Sequence, residues 1–522
     1  MRTIVSGKRS LLIPFLIIII ALTVLTALPL SARQSKSAKP AASAQTASAR
    51  NAQAASPGAK SDPSQVGSWT APVNLGVITI HAALLHTGKI LAWWYPQGTN
   101  VNSPAKLYDT VTGKTKDVTV PFPGDFFCSG HTILADGRVL VTGGLLGNPH
   151  PGVPDDGITA TAIFDPGSET WSQGTPMNLA RWYPTDVELP SGQTLTLTGK
   201  NEHAVIDLPM EQYDPATEVW TLLPSSANIP QQSSDTYLKM KLLTNGKVFM
   251  AGSNADTYTF DPATNRWTLT ATMNFGNRYH GAAVILPGLT KVFTAGGTAN
   301  HAGGGATATA EVIDLAAPAP QWSFVSPMHI PRYNSNLVIL ADGTLLEVGG
   351  AQTERYGTPV LIPELYDPST DTWTEMMTQT DSRPYHSTAL LLPDGTVWSA
   401  GSDDPTKKIA GHSYEIFSPP YLSKGARPTI TSAPSAITYN QKFTVTTPDA
   451  ASVTKVALVR PGSTTHDNDF DQRYVVLDVR HGTGKLSVTA PPSANYAPPG
   501  WYMLVLVNSS GVPSVMPFLQ LM

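Results

Sequence analysis

A turn followed by an apolar strand recurs along most of this 522-residue chain. The segments HTGKILAWW, ADGRVLVTGG, PSGQTLTLTG, TNGKVFMAG, PGLTKVFTAGG, ADGTLLEVGG and PDGTVWSAG carry it, with turn glycines Gly88, Gly137, Gly192, Gly246, Gly288, Gly343 and Gly395. Successive glycines stand 42 to 55 residues apart. A second element falls between them: FDPGSETW, YDPATEVW, FDPATNRW and YDPSTDTW, with weaker versions at Tyr108-Asp109 and Gln321-Trp322. Each repeat therefore reads as two antiparallel hairpins. One such unit cannot bury its own apolar face, so the units must stack on one another.

Roughly 50 residues is the period of kelch-type repeats. The expectation is an all-β chain with a seven-bladed kelch-type β-propeller over residues 69–422. Beyond SPPYLSKGARPTI the rhythm stops, and shorter strand segments follow (KFTVTT, KVALVRPG, RYVVLDVRH, KLSVTAPP, WYMLVLVNSS). They predict an immunoglobulin-like β-sandwich over residues 423–522. Composition agrees with a turn-rich globular body, since 42 glycines and 45 prolines accompany 41% apolar residues. A net charge of −4 argues against a nucleic-acid partner. A monomer is expected.

Lys8 and Arg9 precede 20 uncharged residues, Leu11 to Leu30. The stretch fits either a signal peptide ending near Ala32 or a retained membrane anchor, and both export the protein. Residues 33–68 are rich in Ala, Ser, Gln and Lys and read as a flexible tether.

The single cysteine, Cys128, excludes an intrachain disulfide and any zinc site built from several thiolates. Nine or ten residues before the turn glycines stand Cys128, Tyr183, Tyr237, Tyr279, Tyr333 and Tyr385. Rotational repetition should bring these positions to one ring facing the propeller channel. His131, His280 and His386 follow closely. Each tyrosine taken alone reads as an inter-blade packing residue, and a lone buried cysteine as a small hydrophobe. A thiol, phenols and imidazoles gathered in one place can instead bind a transition metal.

The segments DFFCSGHTILADGRVLVTGG, ARWYPTDVELPSG, RPYHSTALLLPDGTV, FSPPYLSKGARPTI and STTHDNDFDQR resemble, in this order, the landmarks of the copper radical oxidases, the galactose oxidase and glyoxal oxidase family. The resemblance runs from Trp69 to the C-terminus. It implies a copper ion and a Cys128-Tyr183 thioether that carries a tyrosyl radical. It further implies Tyr183, Tyr385, His386 and His466 as copper ligands, with Tyr385 also the proton acceptor. The implied reaction oxidises a small aldehyde, as its hydrate, or a primary alcohol with O2 and releases hydrogen peroxide. Asp471 and Arg473 read as structural residues fastening the His466 loop to the propeller.

The sequence also departs from the family. Galactose oxidase carries a stacking tryptophan shortly after the radical tyrosine, and TGKNEHAVIDL here has none. Galactose oxidase also begins with a carbohydrate-binding sandwich, whereas the stretch before the first blade here reads as a tether. Both departures lean toward the glyoxal oxidase side. The alternative from another class is a noncatalytic extracellular kelch propeller that binds glycan or protein.

Overall fold

A computed structural model describes residues 62–96, 102–146, 156–233, 235–301, 304–353, 355–404 and 410–522. The leader and most of the tether lie outside these residues. Among the described residues no helix is long and apolar enough to cross a membrane.

Each repeat forms one antiparallel sheet. The second is typical: Gly130–Ile133, Val139–Thr142, Thr161–Asp165 and Thr170–Gln173 pair in succession. Its two inner strands are buried throughout, whereas the outermost is buried only at Trp171. The Asp-Pro motif explains the outer hairpin. The Asp165 carboxylate accepts from Gly167 N at 2.8 Å, and Asp214, Asp261 and Asp367 cap their turns in the same way. The preceding aromatic then faces the tryptophan across the hairpin, as in Tyr213 opposite Trp220 and Tyr366 opposite Trp373. Ring centroids in four such pairs are 4.8 to 5.1 Å apart. Trp220 Nε1 donates to Thr175 O, and Trp373 Nε1 to Ser326 O, on the chain leaving the preceding sheet. Neighbouring sheets are stitched together by these bonds.

A buried arginine-glutamate pair repeats as well: Arg181 with Glu211, Arg278 with Glu311, Arg332 with Glu364 and Arg383 with Glu415. The carboxylates also accept backbone N–H groups, such as His329 N and Ile330 N on Glu364. A buried pair of this kind is tolerable because the glutamate oxygens and the arginine Nη atoms find further backbone partners, such as Ile362 O for Arg332 and Gly401 O for Arg383. Glu364→Ala leaves the Arg332 guanidinium buried without its anion, so a loss of about 3–5 kcal/mol in guanidinium unfolding is expected.

The tether expected to run through Ser68 ends earlier. Pro63–Val66 form one helical turn capped by the Asp62 side chain, and Ser68–Trp69 pair with Ser418 and Phe417. This N-terminal strand completes the last sheet, because the outer edge of Ser413–Ser418 would otherwise be an open ladder.

Past the propeller, a five-stranded sheet built around Val453–Arg460 and Gly500–Asn508 faces a three-stranded one built around Lys485–Thr489. Leu458, Leu504 and Leu506 of the first pack with Val445, Leu486 and Val488 of the second. The architecture is an all-β, kelch-type propeller followed by a β-sandwich. From the sandwich the strand Ser463–Thr465 reaches back and pairs with His81–Ala83, the innermost strand of the first sheet.

Candidate metal centre

The inner hairpin turns position the site. The closing N–H belongs to Gly88, Gly137, Gly192, Gly246, Gly343 and Gly395, each donating to a leucine carbonyl three residues earlier. In the fifth repeat the donor is Leu289, at φ +63°, rather than Gly288. Counted nine back from the donors of the second to seventh repeats, the equivalent residues are Cys128, Tyr183, Tyr237, His280, Asn334 and His386. All six have left-handed φ, between +48° and +66°, which is uncommon for side chains of this size. Their backbones run round the axis: Tyr183 N donates to Cys128 O at 2.8 Å, Tyr237 N to Tyr183 O at 3.2 Å, and Asn334 N to His280 O at 3.0 Å.

This corrects the ring expected from sequence. Tyr279, Tyr333 and Tyr385 each stand one residue before the equivalent position, which His280, Asn334 and His386 fill. Tyr385 still reaches the centre from its offset place.

Five predicted side chains converge. Tyr183 OH and Tyr385 OH are 2.9 Å apart, and Cys128 Sγ is 3.3 Å from His466 Nε2. The Cys128 thiol also interacts with the Tyr183 phenol. Ligand atoms of Cys128, His386 and His466 lie within 4.8 Å of one another, and all three residues are buried. The imidazole rings of His386 and His466 are edge to face at 4.4 Å.

His466 arrives on the loop from the sandwich, fastened at several points. Asp471 accepts from Thr132 Oγ1 and Ile133 N, Gln472 brackets Ile339 through both its N–H and its carbonyl, and Arg473 donates to Leu242 O. Lys239 forms a buried ion pair with Asp467. His466 Nδ1 meets Thr465 Oγ1 at 2.5 Å, which leaves Nε2 turned toward the cluster. Burial, reinforced by His386 and His81, holds His466 well below the usual imidazole range, so it is neutral with a free lone pair. Burial also pushes the Cys128 thiol and the Tyr183 and Tyr385 phenols up.

Other histidines have other tasks. His81 Nε2 accepts from Cys128 N at 3.0 Å and so holds the left-handed residue in place. His131 bonds Ser463 Oγ with Nδ1 and anchors the inserted strand. His280 lines the cavity, with Nδ1 3.8 Å from Asp467 Oδ2.

Sequence reasoning missed three contributors. Trp182, which immediately precedes Tyr183, packs on its ring at 4.4 Å, with Lys200 Nζ 5.0 Å from the indole. An aromatic therefore covers Tyr183 from the residue before it and not from the TGKNEHAVIDL stretch after it. The Arg355 guanidinium lies 4.7 Å over the Tyr385 ring. Asp403 contacts His386. Of the three, only Trp182 stood in a motif already singled out.

The donor set fits copper. His386 Nε2 is buried and makes no hydrogen bond among the described residues, and two imidazoles beside two phenols suit that metal.

Comparisons with known proteins agree with this chemistry. Residues 99–421 match the family described as "Glyoxal oxidase N-terminus", and residues 427–521 match "Galactose oxidase-like, Early set domain". A galactose oxidase of Gibberella zeae is 30% identical over 86% of this chain and 70% of its own length. The aldehyde oxidase GLOX of Vitis pseudoreticulata is 30% identical over 76% of this chain and 82% of its own. A solved fungal alcohol oxidase of the AA5 family, in complex with copper, superposes with a TM-score of 0.78 at 28% identity, covering 88% of this chain and 100% of that one. From the first repeat to the last strand of the sandwich, this chain belongs to the glyoxal oxidase and galactose oxidase family, the O2-dependent copper radical oxidases.

Proposed function

We propose that this protein oxidises a small aldehyde, as its hydrate, or a primary alcohol, on a seven-bladed propeller whose channel is closed by the sandwich loop. The observation that carries this reading is the meeting of Tyr183, Tyr385, His386 and His466 around Cys128, with the two phenol oxygens 2.9 Å apart and the ligand atoms of Cys128, His386 and His466 within 4.8 Å of one another. In this assignment Tyr183, Tyr385, His386 and His466 hold copper, and Cys128 is joined to Tyr183 by a thioether. Copper, when bound, lowers the pKa of the coordinated substrate hydroxyl and takes up one of the two electrons.

The remaining work belongs to the chain. Tyr385 receives the hydroxyl proton, and its place 2.9 Å from Tyr183 keeps the acceptor beside the radical ring. Tyr183 takes a hydrogen atom from the substrate carbon. The Cys128 sulfur spreads the unpaired electron, and Trp182 shields the ring from water. An alcohol plus O2 gives an aldehyde plus hydrogen peroxide, and an aldehyde hydrate plus O2 gives a carboxylic acid plus hydrogen peroxide. Both phenols lie above their ordinary range without metal, so loading should release protons and tighten as pH rises.

An aldehyde is favoured by the aldehyde oxidase relative, and a small one by the confined cavity lined by Tyr183, Tyr385, His280, Lys239 and Asp467. The uncharged stretch Leu11 to Leu30 supports export, whether cleaved or anchored. A peroxide-coupled screen of the copper-loaded protein over glyoxal, methylglyoxal, glycolaldehyde, glycerol and galactose tests the assignment. Turnover of the small aldehydes at least about tenfold faster than galactose is expected, and the reverse order would place the protein with sugar oxidation.

A further inference from the structure

The two imidazoles of the centre are held by different chemistry. His466 Nδ1 faces the neutral hydroxyl of Thr465, which itself donates to Ile80 O at 2.8 Å. His386 Nδ1 lies 2.7 Å from Asp403 Oδ2. The other oxygen of that carboxylate, Oδ1, accepts a 2.5 Å hydrogen bond from Tyr356 OH. Asp403 is thus bracketed, with its two oxygens committed in different directions and its side chain only 13% exposed. Tyr356 follows Arg355, whose guanidinium covers Tyr385, so one short segment touches the surroundings of both consecutive residues, Tyr385 and His386.

We propose that Asp403 and Tyr356 are positioning residues for the metal centre: the carboxylate holds the His386 proton on Nδ1, presents Nε2 to copper and makes His386 the stronger donor of the two imidazoles. The proposal rests on the reading of His386 as a copper ligand. A carboxylate behind a ligating histidine fixes the ring tautomer and orientation and raises the donor strength of the distal nitrogen, which a hydroxyl does only weakly. Neither ring nitrogen of His386 makes a well-aligned hydrogen bond among the described residues, so Nδ1 meets Asp403 as a close N···O contact and Nε2 is left for a metal. Tyr356 removes one degree of freedom from the carboxylate, so that Asp403 cannot turn away from the imidazole.

The test is copper affinity of the full-length protein by chelator competition, together with the Cu(II) electron paramagnetic resonance spectrum and the unfolding midpoint of the metal-free form. Asp403→Asn should weaken copper binding about 10–100-fold and alter the copper hyperfine splitting. Tyr356→Phe, which keeps the ring volume, should shift both in the same direction by less. Asp403→Glu should recover part of the loss. His386→Ala separates this proposal from the reading beneath it. If His386→Ala leaves affinity unchanged, His386 is not a ligand and both fall. If His386→Ala weakens binding while Asp403→Asn and Tyr356→Phe keep wild-type affinity and spectrum, the ligand stands and the positioning role is overturned. A lowered unfolding midpoint with an unchanged spectrum would likewise assign the pair to structure alone.

Discussion

Cys128→Ser is expected to leave a folded, copper-binding protein that turns over at least about 1000-fold more slowly, a barrier increase of about 4 kcal/mol. Serine is close to cysteine in size, and its hydroxyl can meet His466 Nε2 where the sulfur stands 3.3 Å away. The left-handed backbone at position 128 persists, because His81 still accepts from its N–H. What serine cannot do is form the bond from sulfur to the Tyr183 ring. Without that bond the radical is confined to an ordinary phenol and is harder to generate. Intact mass makes the result independent of activity. Copper-treated wild type should be lighter than its uncrosslinked form by two hydrogens and hold no free thiol, while the variant should match its sequence mass. The crosslink would also close a loop of about 55 residues, for which the chain-entropy argument used for disulfides gives about 4 kcal/mol. Processed wild type should therefore unfold at a higher temperature than unprocessed wild type, and the variant should resemble the latter. Copper-treated wild type of unshifted mass with a free thiol would sink the thioether assignment.

His466→Ala is expected to weaken copper binding by more than about 100-fold, beyond the range of losses seen when only an outer partner of a ligand is removed. The fold should survive, because the loop is fastened by Asp471, Gln472 and Arg473 to three different sheets of the propeller. Alanine removes a side chain whose Nε2 faces the cluster and whose Nδ1 leans on Thr465, so no buried charge is stranded. The comparison variant is Asp471→Asn, which loosens the loop without touching a donor atom. It should lower the unfolding midpoint more than His466→Ala and copper affinity less. Wild-type affinity in His466→Ala would remove the sandwich domain from the metal centre.

Much of the fold could be read from local pattern. A strand, a two-residue turn and a second strand leave their mark within ten residues, and the Asp-Pro hairpin within eight. The repeat positions misled by one residue at three places. Gly288 marks the turn by residue type, yet Leu289 closes it in a left-handed conformation that side chains avoid. Before Gly343 and Gly395 the tyrosines Tyr333 and Tyr385 stand beside the repeat position, while Asn334 and His386 hold the equivalent seats. The stretch after Tyr183 holds no stacking tryptophan, whereas Trp182 before it packs against the ring.

The sequence by itself determined the repeat architecture, the sandwich that follows it and the identities of Cys128, Tyr183, Tyr385, His386 and His466 as candidates, because hydrogen-bond ladders, turns and motifs are written in short stretches of chain. Only the tertiary structure decided how those five meet, which aromatic covers Tyr183, and that Asp403 and Tyr356 stand behind His386. Those contacts join residues as far apart as Cys128 and His466, 338 positions in sequence. They depend on how the sheets are rotated about a common axis and on left-handed backbone turns that aim the side chains inward, and neither leaves a local trace in composition or spacing.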